Sequence, residues 1–514
     1  MKPLTVQKVR KAVQILAFIV FMFLFIQAVY IQTSRLPSDL FYRLDPLIAL
    51  TASLAGRAVK FGLLYSLINL AATLIFGRVW CGWVCPFGSL LEWLAPLKNR
   101  NIHKIPGALR AVKYLLLTLL VTMAFFGNQS FVFLDPISIL TRSMTTVLWP
   151  ALRFGVFSVE SFFYNIETLW PGLDWLNRVI LLPVFQGIDS VFIASLPVLA
   201  LLVLLFELNW LAERFWCRYL CPLGGMLALF ARKAFIQRKV TETCIDCGKC
   251  AKICPTGTIT AEPQWISDPG ECTLCYDCAA ICPAEAIQFT HQFNRETAKH
   301  SFAYDPARRQ VLGASAVAVG SVLLAGVEPV IRRQPERLLR PPGALLTDFT
   351  SLCMRCGECV RVCPTQGLQP SLLEGGWQNV YTPHLVPRLG ACTYACSACL
   401  QVCPTNAIPH LTLAEKQITT LGLASINTNR CLPWAYATTC SICEEICPLP
   451  EKAIKLEEFT TQNSQGEVIF LKRPRVDRDL CIGCGACEYH CPVGGEAAIQ
   501  VFTIPTTEGY LRGI

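Results

Sequence analysis

Four times this chain writes Cys-x2-Cys-x2-Cys-x3-Cys-Pro, and a fold carrying such runs is organised by what the thiols hold. The runs are Cys244, Cys247, Cys250 and Cys254; Cys272, Cys275, Cys278 and Cys282; Cys353, Cys356, Cys359 and Cys363; and Cys481, Cys484, Cys487 and Cys491. Two variants lie between the last two runs: Cys392, Cys396, Cys399 and Cys403, then Cys431, Cys440, Cys443 and Cys447, each followed by proline. These six groups use 24 of the 28 cysteines and leave Cys81, Cys85, Cys217 and Cys221. A dense cysteine count reads as a disulfide scaffold in a short secreted chain, but 514 residues with cysteines in tight groups point to metal. Three thiolates on a tight loop cap three irons of a cubane, and the fourth lies one helical turn on. In two-cluster ferredoxins that fourth thiolate ligates the partner cluster, and the proline redirects the chain. Zinc ribbons use two-plus-two spacing instead. Six [4Fe-4S] clusters are the expectation.

The chain is 53% hydrophobic and 16% charged, so part of it is expected in lipid. Lys2, Lys8, Arg10 and Lys11 precede an uncharged run from Ala12 to Ile31, long enough for a bilayer core that needs about 20 apolar residues. The run is long for a signal peptide and lacks a small-residue cleavage site, so a retained helix is the reading. Further apolar runs lie at Phe61–Gly77, Tyr114–Leu134 and Val191–Phe206, giving four core transmembrane helices. Lys98, Arg100, Lys104, Arg110 and Lys113 put the loop between the second and third runs, with the N-terminus, in the cytoplasm. The net charge of +9 is read as orientation of this kind rather than as a nucleic-acid surface.

The apolar part repeats itself. "RVWCGWVCPFG" begins at Arg78 and "RFWCRYLCPLG" at Arg214, and each half carries an earlier turn, "LDPL" with Asp45 and "LDPI" with Asp135. The second half carries a longer external stretch, about 141–190, whose charges argue against another full span and part of which lies along the membrane surface. The resulting division is a transmembrane domain at 1–235, a cytoplasmic two-cluster ferredoxin domain at 236–295, a linker at 296–345 and a four-cluster ferredoxin-like domain at 346–514. Within the linker, Arg308 and Arg309 precede an uncharged run from Gln310 to Val327, read as a twin-arginine export signal kept as a fifth, linking helix. Arg332, Arg333, Arg337 and Arg340 follow it, against the positive-inside tendency. The fold class is therefore an α-helical membrane domain with α+β bacterial-ferredoxin-like domains. In the last domain nested pairing is expected, with the 353 group exchanging its last cysteine with the 481 group and the 392 group with the 431 group; sequential pairing is the alternative and uses the same ligand set.

Residues 12–295, with "CGWVCP", "CRYLCP" and the paired ferredoxin motif, resemble the NapH/MauN family of membrane iron–sulfur proteins. Residues 306–514, with the twin arginine, "RPPGAL" and "CMRCGECVRVCPT", resemble the NapG/MauM family of exported four-cluster ferredoxins. The chain resembles a fusion of the two. The resemblance implies a protein of the bacterial cytoplasmic membrane, with its C-terminal domain periplasmic. It implies a quinol dehydrogenase that takes electrons from the quinone pool and passes them to an extracytoplasmic reductase or cytochrome. Two other roles follow from relatives: an assembly or maintenance factor feeding electrons to a partner's metal site, and a fixed electron-transfer subunit of a larger complex. A related group carries an extracytoplasmic flavin domain that this chain lacks, so no flavin is expected.

None of His103, His291, His300, His384, His410 and His490 falls in a predicted span, there is no Cys-x-x-Cys-His, and no Gly-x-Gly-x-x-Gly follows a strand. Haem and dinucleotide are therefore not expected. Three readings of Cys81, Cys85, Cys217 and Cys221 stand side by side: buried small hydrophobes, a redox dithiol or metal site, or the flank of a quinol pocket. On the last, Trp80 and Trp216 are interfacial anchors. Arg78 and Arg214 read as positive-inside anchors, and Asp45 and Asp135 as caps of the helices that follow them.

Overall fold

In a computed structural model, residues 3–31, 37–59, 61–95, 107–185, 192–261, 264–291, 337–344, 348–462 and 468–504 are described, with 313, 315–317 and 319–320. Arg308 and Arg309, most of the run after them, and Lys98, Arg100 and Lys104 lie outside the described residues. The chain divides into two compact units: Met1–Ile26, Pro37–Ser143 and Leu196–Gly326 form the first, and Gln27–Leu36, Met144–Ser195 and Val327–Ile514 the second.

The first unit is mainly helical: α1 (Pro3–Gln27), α2 (Pro46–Ala55), α3 (Ser66–Phe76), α4 (Pro86–Trp93), α5 (Ala111–Phe125), α6 (Pro136–Ser143), α8 (Ser195–Leu211) and α9 (Pro222–Ala231). Local sequence starts these helices where it does. Asp45 accepts from the backbone N–H groups of Leu47 and Ile48 (2.8 and 3.2 Å), and Asp135 from those of Ile137 and Ser138 (3.0 and 2.9 Å). Each carboxylate thus caps a helix whose first residue is proline, as the repeat predicts. Helix α9 packs on α5, α3 and α2, so the packed centre includes two helices absent from the hydropathy runs, each opened by an Asp-Pro or Cys-Pro step.

Among the described residues one helix, Pro3–Tyr30, is long and apolar enough to cross a membrane by length and composition; Pro46–Ala55, Ser66–Phe76, Ala111–Phe125, Ser195–Leu211 and Pro222–Ala231 are shorter apolar helices. Helix α3 is inverted relative to a water-soluble helix. Its buried residues are Ser66, Asn69 and Thr73, while Leu67, Ile68, Leu74 and Ile75 face outward. The Asn69 amide donates to the carbonyl of Leu44 (3.1 Å), which satisfies part of this inward polarity.

The same unit ends in a small ferredoxin-type domain. Strands β1 (Ile236–Val240) and β2 (Ile287–His291) pair antiparallel, Ile236 opposite His291 and Val240 opposite Ile287, and close the first two cysteine groups between them.

The second unit holds helix α7 (Trp149–Phe163) and the remaining four cysteine groups. Three more antiparallel pairs frame them: β3 (Leu368–Pro370) with β4 (Pro383–Leu385), β5 (Leu423–Ile426) with β8 (Ile499–Phe502), and the hairpin β6 (Ile454–Gln462) with β7 (Val468–Val476). Its core is one cluster in which Leu339, Val360, Leu400, Leu421 and Val501 pack among the cysteines.

Candidate iron–sulfur centres

The regular cysteine loops share one backbone device. Asp246 and Gly248, Leu274 and Tyr276, Arg355 and Gly357, and Gly483 and Gly485 all have positive φ, between 50° and 87°. In each loop these are the residues before and after the second cysteine. Alternating left-handed residues turn successive backbone N–H groups toward one concavity, the kind that receives an anionic iron–sulfur cluster. Three of the eight positions carry large side chains in this disfavoured region (Leu274, Tyr276 and Arg355), so the loop conformation is held against local preference.

The cysteines gather as three plus one. Cys244, Cys247 and Cys250 share a cavity of about 360 Å³ with Cys282, and Cys272, Cys275 and Cys278 have Cys254 as their electrostatic neighbour. Cys353, Cys356 and Cys359 line a cavity of about 340 Å³ with Cys403, and Cys399 neighbours Cys392, Cys396 and Cys363. Cys431, Cys440 and Cys443 share about 390 Å³ with Cys491, and Cys481, Cys484 and Cys487 share about 340 Å³ with Cys447. The pairing in the C-terminal part is sequential, 353 with 392 and 431 with 481, and the nested pairing is corrected. Chain economy explains it: each pair of groups closes within one short stretch. The ligand set of all 24 cysteines is the same in both schemes.

Among the described residues no three His, Cys, Asp or Glu side chains converge on a single ion, whereas the cysteines of a group ring a cavity. One thiolate per iron of a cubane fits that arrangement. Backbone N–H groups donate to the sulfurs of Cys403 (from Ile408, 3.4 Å) and Cys491 (from Ala498, 3.3 Å), contacts that tune the potential of a bound cluster.

Cys81, Cys85, Cys217 and Cys221 are all buried in the first unit. Each repeat forms a π-helical turn, Trp80–Val84 and Trp216–Leu220, which breaks at the second cysteine. That cysteine becomes the cap of the following helix: the Cys85 sulfur accepts from the Gly88 N–H (3.4 Å) and the Cys221 sulfur from that of Gly224 (3.2 Å). The repeats interlock through their arginines. Arg78 donates to the carbonyl of Cys217 (3.3 Å) and lies 3.8 Å from the Cys81 sulfur, while Arg214 donates to the carbonyl of Cys81 (3.0 Å). Both arginines are 1% exposed, so they are not surface anchors, and Trp80 and Trp216 are likewise buried rather than interfacial.

Two acids that the motif reading passed over hold this arrangement. Glu271 accepts from Arg78 (3.0 Å) and pairs with Lys113, and Glu92 pairs with Arg10 (2.8 Å) and Arg214. Burial by itself favours the neutral acid at Glu271, but Lys113 and Arg78 outweigh it and hold the carboxyl at about 2. Arg10 and Lys113, read from sequence as orienting charges, are thus buried partners. The available signal was an acid beside each motif: Glu271 precedes Cys272, and Glu92 lies in the helix that the first repeat opens, Pro86–Trp93. Trp83 donates to the carbonyl of Leu274 (3.1 Å), and a Cβ at Gly82 would overlap the Thr273 carbonyl. The first repeat therefore seats directly on the loop Cys272–Cys275.

A 4Fe-4S binding domain family matches residues 60–104 and 194–241, the stretches around the two repeats. Two 4Fe-4S dicluster domain families match 352–408, and 243–286 with 438–495. Both C-terminal matches bracket neighbouring groups, in keeping with sequential pairing. The methylamine utilization ferredoxin-type protein MauM of Methylorubrum extorquens is 38% identical over 210 residues, covering 38% of this chain and 89% of that protein. The ferredoxin-type protein NapG of Haemophilus influenzae is 33% identical over 223 residues, covering 41% and 76%, and NapG of Escherichia coli is 32% identical, covering 40% and 89%. No solved structure matches the chain. With its cysteine loops shaped for cubanes and most of each relative's length covered, the chain belongs to the MauM/NapG family of ferredoxin-type iron–sulfur electron-transfer proteins.

Proposed function

We propose that this protein is a membrane-bound quinol dehydrogenase carrying six [4Fe-4S] clusters, fused from a NapH/MauN-type membrane part and a NapG/MauM-type ferredoxin part. It passes electrons from the quinone pool to an extracytoplasmic reductase or cytochrome. The observation that carries this reading is the joining of cysteine centres to a helix built inside out, α3, which turns Ser66, Asn69 and Thr73 inward and its leucines and isoleucines outward. That pattern suits lipid, where a polar side chain must find a partner inside the protein. In this reading the apolar helices cross the bacterial cytoplasmic membrane with the four-cluster domain outside.

The clusters supply one-electron storage and transfer at potentials set by their surroundings. The protein's own part is to fix their spacing, exclude water from the thiolates and donate N–H groups to the sulfurs. Cys81, Cys85, Cys217 and Cys221 are assigned a redox or metal role beside the loop Cys272–Cys275. This seating also favours a second reading, in which a cytoplasmic donor feeds the first two clusters and the protein supplies electrons to a partner's metal site or to a larger complex.

Anaerobic addition of menaquinol, then ubiquinol, to the detergent-solubilised protein separates the two. Rapid bleaching of the cluster absorbance is the expected result. Bleaching by a low-potential ferredoxin but by neither quinol would establish the second reading.

A further inference from the structure

The second unit contains an open cleft of about 620 Å³ beside the loop that carries Cys363. Its wall includes Val29, Trp149, Arg153, Arg361, Cys363 and Gln366. From these residues we infer that the cleft is the quinol headgroup site, an inference that rests on the quinol-dehydrogenase reading.

Three features fit it to a quinol. First, it opens where apolar helices end. Val29 lies in the last turn of the apolar helix Pro3–Tyr30, and α7, which supplies Trp149 and Arg153, turns Leu152, Phe154, Val159 and Phe162 outward. An isoprenoid tail has an apolar surface to lie on. Second, the interior pairs a flat ring with guanidinium donors. Trp149 is 6% exposed, the Arg361 guanidinium stands 5.4 Å from its ring centroid, and that of Arg153 stands 5.4 Å from the Phe157 ring. The Trp149 ring already packs against that of Phe185 (centroids 4.9 Å), so a dihydroxyaromatic ring meets its edge while its oxygens accept from arginine.

Third, the wall is built from the chain between two cluster sites. Cys359 belongs to the site with Cys353, Cys356 and Cys403, Cys363 to the site with Cys392, Cys396 and Cys399, and Arg361 stands between them. Quinol gives up two electrons, whereas a [4Fe-4S] cluster takes one. Oxidation in the cleft breaks both O–H bonds, turns the two ring C–O bonds into carbonyls and releases two protons to water at the mouth. The two electrons go singly to oxidised clusters at these two sites. Electrons then enter the four-cluster domain without passing through the first two clusters.

The test uses the full chain in detergent with a photoreactive azidonaphthoquinone, followed by peptide mapping, and in parallel menadiol bleaching of the parent, Arg153→Gln, Arg361→Gln and Trp149→Leu. The expected result is labelling within residues 145–153 or 360–366 that menadione competes away. Bleaching should slow about tenfold in each arginine variant, the effect of losing one charge-assisted hydrogen bond, with iron content unchanged. Arg153→Gln keeps the test decisive if Arg361→Gln loses iron, because Arg153 is remote in sequence from the cluster ligands. Fast bleaching in every variant with label elsewhere overturns the site and leaves the quinol reading standing. Label in the cleft displaced by anionic phospholipid but not by menadione identifies a lipid site and overturns the inference. No bleaching of the parent removes the quinol reading and the inference with it.

Discussion

Glu271 is the shared partner of two buried cations, since Arg78 and Lys113 both pair with it and neither is exposed. Glu271→Gln leaves two cations without their anion in a closed interior. Removing one partner of a buried pair costs about 3–5 kcal/mol, so the variant is expected to melt well below the parent, with the 272 group losing iron first. Thermal unfolding in detergent with iron analysis checks this. His384 gives a pH dependence. Burial favours its neutral form, Arg340 adds to that, and its pKa falls to about 4 from an ordinary 6.5. Between pH 6.5 and 4 the unfolded chain binds a proton that the folded one refuses, so stability falls as pH falls through that window and is unaffected above it. The full effect is about 3 kcal/mol at 1.36 kcal/mol per unit. His384→Gln is expected to flatten the decline of the melting temperature over this range, measured against the parent at each pH.

At the scale of elements, the cross-over of fourth cysteines makes each ferredoxin loop responsible for its neighbour. Cys403→Ser is expected to remove or alter the cluster held by Cys353, Cys356 and Cys359, and Cys363→Ser the one held by Cys392, Cys396 and Cys399. Electron paramagnetic resonance of the reduced variants, each compared with a serine variant of its neighbour's loop, checks the assignment. A Cys403→Ser spectrum matching that of Cys396→Ser rather than Cys356→Ser would overturn it. The hydropathy runs identified α1, α3, α5 and α8 as the apolar elements but not α2 and α9, which are only 10 residues each. Those two are visible instead in the Asp-Pro and Cys-Pro steps that start them. The break at Cys85 and Cys221 was not legible either: cysteines at i and i+4 suggest one helical face, but proline at the next position forces the second cysteine into extended backbone.

For the whole molecule, two measurements test the proposed architecture. Iron and acid-labile sulfide are each expected at about 24 atoms per chain, four per cluster; a value near eight would leave only two clusters. Protease added outside intact spheroplasts is expected to remove the C-terminal domain, and its protection there would sink the proposed crossing of the linking helix.

Sequence by itself determined what the chain holds. Motif spacing is written along a few residues, so the 4Fe-4S cysteine runs and the helix caps Asp45 and Asp135 are local properties. Only the tertiary structure decided which loop lends its fourth cysteine to which. It alone turned Arg10, Arg78, Lys113 and Arg214 from surface charges into buried partners of Glu92 and Glu271, and it set Arg361 against Trp149. Those facts join residues scores of positions apart, or far more. Coulomb attraction and desolvation act through space, and a charge's partner is fixed only when the chain has folded.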